Sequence, residues 1–103
     1  MIAKTPKKPY YAVIFTSIKK GESEQYEITS NRMIALAKKQ KGFLGLESAR
    51  NDIGITVSYW DSEESIRSWK NQNEHQAAQQ KGKDVWYSAF KVRVCKVERD
   101  YEF

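Results

Sequence analysis

The chain has 103 residues, 40% of them apolar and 30% charged, with a formal net charge of +5. That bounds it to one domain of ordinary globular composition with a modest core. A single His and a single Cys exclude a multi-histidine metal site or a disulfide within one chain. No apolar run is long enough to span a bilayer and no signal-peptide pattern opens the chain, so a cytoplasmic protein without membrane contact is expected. The cations are dispersed: Lys4, Lys7 and Lys8 near the start, Lys38, Lys39 and Lys41 at one helix end, Lys81 and Lys83 at another. Helix C-termini attract lysines through their dipole alone, so no nucleic-acid partner is expected. Aromatics reach 13%, more than a small core readily hides, which points to a pocket or an interface.

Residues 1–9, with Pro6 and three lysines, read as a loose arm before a single domain over 10–103. Tyr10 to Ile18 is a first strand. Tyr11, Val13 and Phe15 fall on one face, Ala12, Ile14 and Ile18 on the other, and two apolar faces imply cover on both sides. Glu22 to Lys39 is a first helix, with Tyr26, Met33, Leu36 and Ala37 at roughly helical spacing and Lys41-Gly42 as the stop. Phe43 to Arg50 is a second strand, and Asn51-Asp52 with Gly54 marks a turn. Ile55 to Trp60, rich in β-branched and aromatic residues, is a third strand. Asp61 and Glu64 have capping-box spacing for a second helix running from about Ser62 to Gln80, ended by Gly82. Val85 to Tyr87 is a connector, and Ala89 to Val97 alternates as a fourth strand.

The order βαββαβ predicts an α+β, ferredoxin-like fold: a four-stranded antiparallel sheet with two helices on one face. The bare second face predicts a homodimer in which two sheets pair. The segments GFLGLESARN, GITVSYWDSEESIRSWK, EHQAAQQKGKDVWY and VRVCKVERDY resemble the antibiotic biosynthesis monooxygenase superfamily, and the resemblance runs over nearly the whole chain from Tyr10. It is nearest a bacterial subgroup of small stand-alone proteins of poorly defined role. It implies a dimeric α+β barrel and oxidation of an aromatic or polycyclic small molecule by O₂ without metal, flavin or other cofactor. The alternative on the same scaffold is a non-catalytic small-molecule-binding or stress-related protein. The haem-degrading branch carries Asn on the first strand, Trp on the second helix and His ten residues later. Trp69 matches. Gln79 stands at the histidine position and Ile14 at the asparagine position, so haem is not the expected substrate.

His75 is the candidate catalytic base, because relatives often place a His on this part of the second helix. On an unbroken helix it points away from the stripe of Ile66, Trp69, Asn73 and Ala77, into solvent. A break in WKNQNEHQ, where two asparagines disfavour helix, re-aims His75, Ala78 and Gln79 inward. Trp69 is either core or a stacking wall, and Tyr59 joins it in the expected pocket. Arg50 is the candidate stabiliser of an enolate or phenolate. Trp86 is placed to close a cavity mouth, and Gln79 is expected in the pocket. Tyr59 and Trp60 lie on opposite faces, so one at most can look inward. A Glu47 buried on the second strand would need a partner. The KGF triplet imitates an RNA-recognition signature, but that signature belongs on a third strand and here falls on the second.

Overall fold

The computed structural model describes residues 2–6, 9–21 and 23–103. The expected helix start at Glu22 and the arm residues Lys7 and Lys8 lie outside them. The elements are β1 (Tyr10–Lys19), α1 (Glu24–Lys38), β2 (Phe43–Arg50), β3 (Gly54–Trp60), α2 (Glu63–Lys70), α3 (Asn73–Lys81) and β4 (Tyr87–Val97), with a π-helical turn over Gly82–Trp86. The strands form one antiparallel sheet in the order β2-β3-β1-β4. This is the ferredoxin-like α+β fold. No helix among the described residues is long and apolar enough to cross a membrane.

Residues that face each other in the register share a side of the sheet. Tyr11, Val13, Phe15 and Ser17 of β1 pair with Trp60, Ser58, Thr56 and Gly54 of β3 and with Lys96, Val94, Val92 and Phe90 of β4. The helices cover this side: Trp69 of α2 stacks on Trp60, and Tyr26 of α1 meets Tyr87. The opposite side carries Ala12, Ile14, Ile18, Ile55 and Val57. No helix packs there, so this is the bare face; Ile18 and Ile55 at one end are each 45% exposed, while Tyr10 and Ala12 at the other are buried, with Ala3 donating to Glu47 and Tyr10 to Asp100. Of the two apolar faces of β1, the one with Val13 and Phe15 is therefore spent on the helices.

Two irregularities re-aim aromatic residues. In β4 the register jumps from Ile18↔Ala89 to Lys19↔Tyr87, leaving Ser88 as the extra residue. The bulge turns Tyr87 to the same side as Phe90, three positions on, which plain alternation forbids. In β2 the jump from Phe43 to Gly45 brings Phe43 against Trp60, ring centroids 5.3 Å apart. Trp60 is fully buried.

The expected capping box shifts by one residue. Ser62 is the N-cap of α2 and accepts from the Ser65 backbone N–H at 3.1 Å, while Asp61 accepts from the Ser65 hydroxyl at 2.7 Å. After α1, Gly42 adopts φ +87°, and a Cβ there would run into Ser65 and Asp61. Fold and second helix are locked together at that one residue.

Candidate functional site

The helical stretch after β3 is interrupted. Asn71 ends α2, and Gln72, in extended conformation, opens α3 by accepting from the His75 backbone N–H at 2.8 Å. The new helix axis turns His75 inward. Its imidazole lies flat on the Trp69 indole, centroids 4.0 Å apart and planes 14° from parallel. Trp69 in turn stacks on Trp60 at 6.2 Å. His75 Nδ1 lies 2.9 Å from the Trp69 carbonyl oxygen. A carbonyl can only accept, so Nδ1 carries the proton and Nε2 keeps a lone pair. Burial holds the His75 pKa below its ordinary value, against the opposing pull of that carbonyl. The imidazole is thus neutral near pH 7, of fixed tautomer, and able to take a proton at Nε2.

Gln79 sits one turn further along α3. Its amide donates to the Lys70 carbonyl at 3.0 Å and approaches His75 Nδ1 at 3.4 Å. It therefore spans the interruption and satisfies a carbonyl that the end of α2 leaves open.

At the other end of the helix-covered side stands a second aromatic group. The Tyr87 hydroxyl donates to that of Tyr26 at 3.0 Å, and burial raises the Tyr87 phenol well above its usual range. Phe15 and Phe90 pack edge-on or tilted against Tyr87 and each other at 5.4–5.9 Å. Trp86, nearly buried, meets Tyr26 edge-on at 5.5 Å. It lines an open cleft of about 160 Å³ with Lys19, Lys20, Gly21, Ser23, Tyr26 and Val85. An adjoining cleft of about 180 Å³ is lined by Lys19, Gly21, Arg50, Asn51 and Asp52. Between the two aromatic groups, Val92 and Val94 of β4 remain about half exposed on the helix side, an apolar strip the helices leave open.

The expected pocket residues do not all meet. Trp69, His75 and Gln79 are together. Arg50 is not with them. It donates to the Ser17 hydroxyl at 2.5 Å and lies across Gly54, where a Cβ would occupy the space of the guanidinium. Ser17 stands six residues from Tyr11, the β1 partner of Trp60, which is about 20 Å of strand. Tyr59 faces the bare side, away from Trp69, because its neighbour Trp60 takes the inward position. The Tyr59 hydroxyl donates to Glu47 Oε1 at 2.6 Å, and its ring meets Tyr10 edge-on. Glu47 Oε2 also accepts from the Ala3 backbone N–H at 2.9 Å. Those two donors hold the Glu47 carboxyl below its ordinary pKa, while burial and Glu47 push the Tyr59 phenol up to about 12. Trp60, Tyr26, Phe90, Val92 and Val94 were not expected in the site. Trp60 alone had a signal, the choice it shares with Tyr59.

The model of the antibiotic biosynthesis monooxygenase family matches residues 9–81, well over half the chain. The chain belongs to the antibiotic biosynthesis monooxygenase family. It is 52% identical to the Bacillus subtilis (strain 168) protein named "Uncharacterized protein YqjZ", over 99% of this chain and 91% of that one. Its fold matches that of SnoaB, a cofactor-independent oxygenase from Streptomyces nogalater. The TM-score is 0.76 at 12% identity, covering 90% of this chain and 97% of SnoaB. The Pseudomonas aeruginosa protein PA3566 matches with TM-score 0.73 at 12% identity, over 91% and 97% of the two chains. At such identities the likeness is one of fold.

Two positions bear on the haem-degrading branch of the family. Ile14, counted to its asparagine position, lies on the bare face. The side chains β1 presents to the helices are Tyr11, Val13, Phe15 and Ser17, none of them Asn. Gln79, at its histidine position, spends its amide on the Lys70 carbonyl.

Proposed function

We propose that this protein is a cofactor-independent oxygenase of a flat, ionisable aromatic molecule, with His75 as the general base and Trp69, its ring taken up between His75 and Trp60, as the support of that base and not as a stacking wall for the substrate. The observation that carries the reading is the His75 imidazole itself: turned inward by the helix break, seated on Trp69, neutral, and with its lone pair at Nε2. Family membership and the fold shared with a cofactor-independent oxygenase support it. Nε2 takes the proton of a substrate phenol, and the electron-rich ring carbon of the phenolate adds O₂. The O–O bond breaks, one oxygen stays as a new ring carbonyl and the other leaves as water. A phenol and O₂ thus give a quinone and water, with the substrate as the source of every electron. The apolar strip of Val92 and Val94 beside Phe90 offers an open apolar surface for the rings.

The test is oxygen uptake with a panel of polycyclic phenols. Wild type is expected to turn over at least one of them, and His75→Ala to lose about a hundredfold or more in rate. An unchanged rate in the variant contradicts the base role. A second reading, a non-catalytic binding protein on the same scaffold, is favoured by one observation: neither cleft described above is lined by His75 or Trp69. Tight binding of the same phenols without oxygen uptake would support it. On either reading we propose a cytoplasmic homodimer paired through the bare sheet face.

A further inference from the structure

The interruption between α2 and α3 contains more hydrogen-bonding than a simple helix end requires. The Trp69 carbonyl receives two donors, the Gln72 backbone N–H at 3.2 Å and His75 Nδ1–H at 2.9 Å. The Gln72 side chain returns to the His75 backbone N–H at 2.8 Å, and Gln79 bridges from α3 to the Lys70 carbonyl at 3.0 Å. The side chains of Gln72 and Gln79 therefore act on the two sides of the break, one capping the start of α3, the other closing the end of α2. Neither reaches a substrate position through its own hydrogen bonds. Each constrains the one turn of chain on which His75 and the Trp69 carbonyl meet.

We propose that Gln72 and Gln79 are positioning residues that hold the helix break at the geometry in which the Trp69 carbonyl locks His75 as its Nδ1–H tautomer, leaving Nε2 as a lone pair. In water a histidine side chain favours the opposite tautomer, with the proton on Nε2. The lock therefore converts the commoner form, which presents a donor, into the form that presents a base at Nε2. Without the bridge from Gln79, α3 keeps its tie to α1 through Arg32 and Glu74 at 3.1 Å but loses its tie to the end of α2, so the stacked imidazole slides on the indole and the 2.9 Å bond to the Trp69 carbonyl weakens. The spacing is tight: a hydrogen bond weakens steeply once its angle falls away from linear, so a small rotation suffices. The consequence for catalysis rests on the base role proposed above, whereas the tautomer itself does not.

His75 is the only histidine in the chain, so its two ring nitrogens give unambiguous signals in ¹⁵N-labelled protein. A long-range ¹H–¹⁵N correlation spectrum at pH 7.5 reads which nitrogen is protonated. Wild type is expected to show protonated Nδ1 and unprotonated Nε2. Gln79→Leu, which keeps the bulk and loses the donor, is expected to shift both nitrogens toward the averaged values of mixed tautomers. Gln72→Ala should do the same, and Gln72→Ser, which restores a short N-cap acceptor, should recover the wild-type pattern. Far-ultraviolet circular dichroism checks that each variant is folded. A wild-type imidazole protonated on Nε2 overturns the lock whatever the variants do. A folded Gln79→Leu or Gln72→Ala with the wild-type pattern overturns the positioning role. A locked tautomer in a protein that consumes no oxygen leaves the inference standing and counts against the oxygenase reading alone.

Discussion

His75 must remain neutral while half-buried, and its folded-state pKa lies below the value near 6.5 that it has in the unfolded chain. Between those two values the unfolded chain binds more protons than the folded one, so stability rises with pH through that window. The contribution is complete above about pH 6.5 and is lost as pH falls through the depressed folded value. Urea midpoints at pH 7.5 and pH 5 are expected to fall more for wild type than for His75→Phe, which keeps the stack and cannot titrate. Equal falls would contradict the inward placement. Glu47 also has a depressed pKa, but from an ordinary value of 4.5, so it titrates below this window. A second residue bears on the same stack: Trp60→Ala should cost about 3–5 kcal/mol, a large part of the stability of a domain this size, measured by urea unfolding at pH 7.5. The rings were legible in the sequence only as types. Which of Tyr59 and Trp60 turns inward follows from the β1–β3 register, which sets Trp60 beside Tyr11 and Tyr59 beside Ala12, and no pattern of residue types encodes that register.

At the scale of elements, the strands were legible because β-branched and aromatic runs alternate between Gly and Asn-Asp punctuation. Phe43 to Arg50 emerged with its observed ends, and the others within two residues. The β4 start was placed late, at Ala89, because a bulge at Ser88 disrupts the alternation just where the strand begins. The helix break was visible in its cause, the asparagines, but Gln72 supplies the cap and not an asparagine side chain. Asp61 and Glu64 had the right spacing for a cap, yet Ser62 took the role, since its hydroxyl reaches the Ser65 N–H directly. Ser62→Ala is accordingly expected to cost about 1 kcal/mol in urea unfolding, and Asp61→Ala less. A larger loss at Asp61 would reverse that assignment. The separation of Arg50 from His75 could not be read from the chain: both lie beside the predicted pocket in sequence order, and only the strand register sets them at opposite ends of the sheet.

For the molecule as a whole, one face of the sheet is spent on helices and the other carries no helix, its Tyr10 end covered by Ala3 of the arm and Asp100 of the C-terminal segment and its Ile18 end open. A second copy is the expected cover. Sedimentation equilibrium at micromolar concentration should give about twice the chain mass of 12.0 kDa. Ile14→Asp places an unpaired charge on the bare face and should yield folded monomer, whereas Val13→Asp places it under the helices and should unfold the chain. A stable wild-type monomer would contradict the pairing. Removal of a proton from an aromatic substrate by His75 can be read without oxygen, from the ionisation of a bound phenol. Under anaerobic conditions, with a nitrophenol whose solution pKa is at or below about 6.5 so that an imidazole can take its proton, and at a pH one unit below that pKa, wild-type protein is expected to strengthen the phenolate absorbance band on binding. His75→Ala is expected to bind the same phenol in its neutral form. Phenolate bound equally by both proteins, or by neither, would contradict the account.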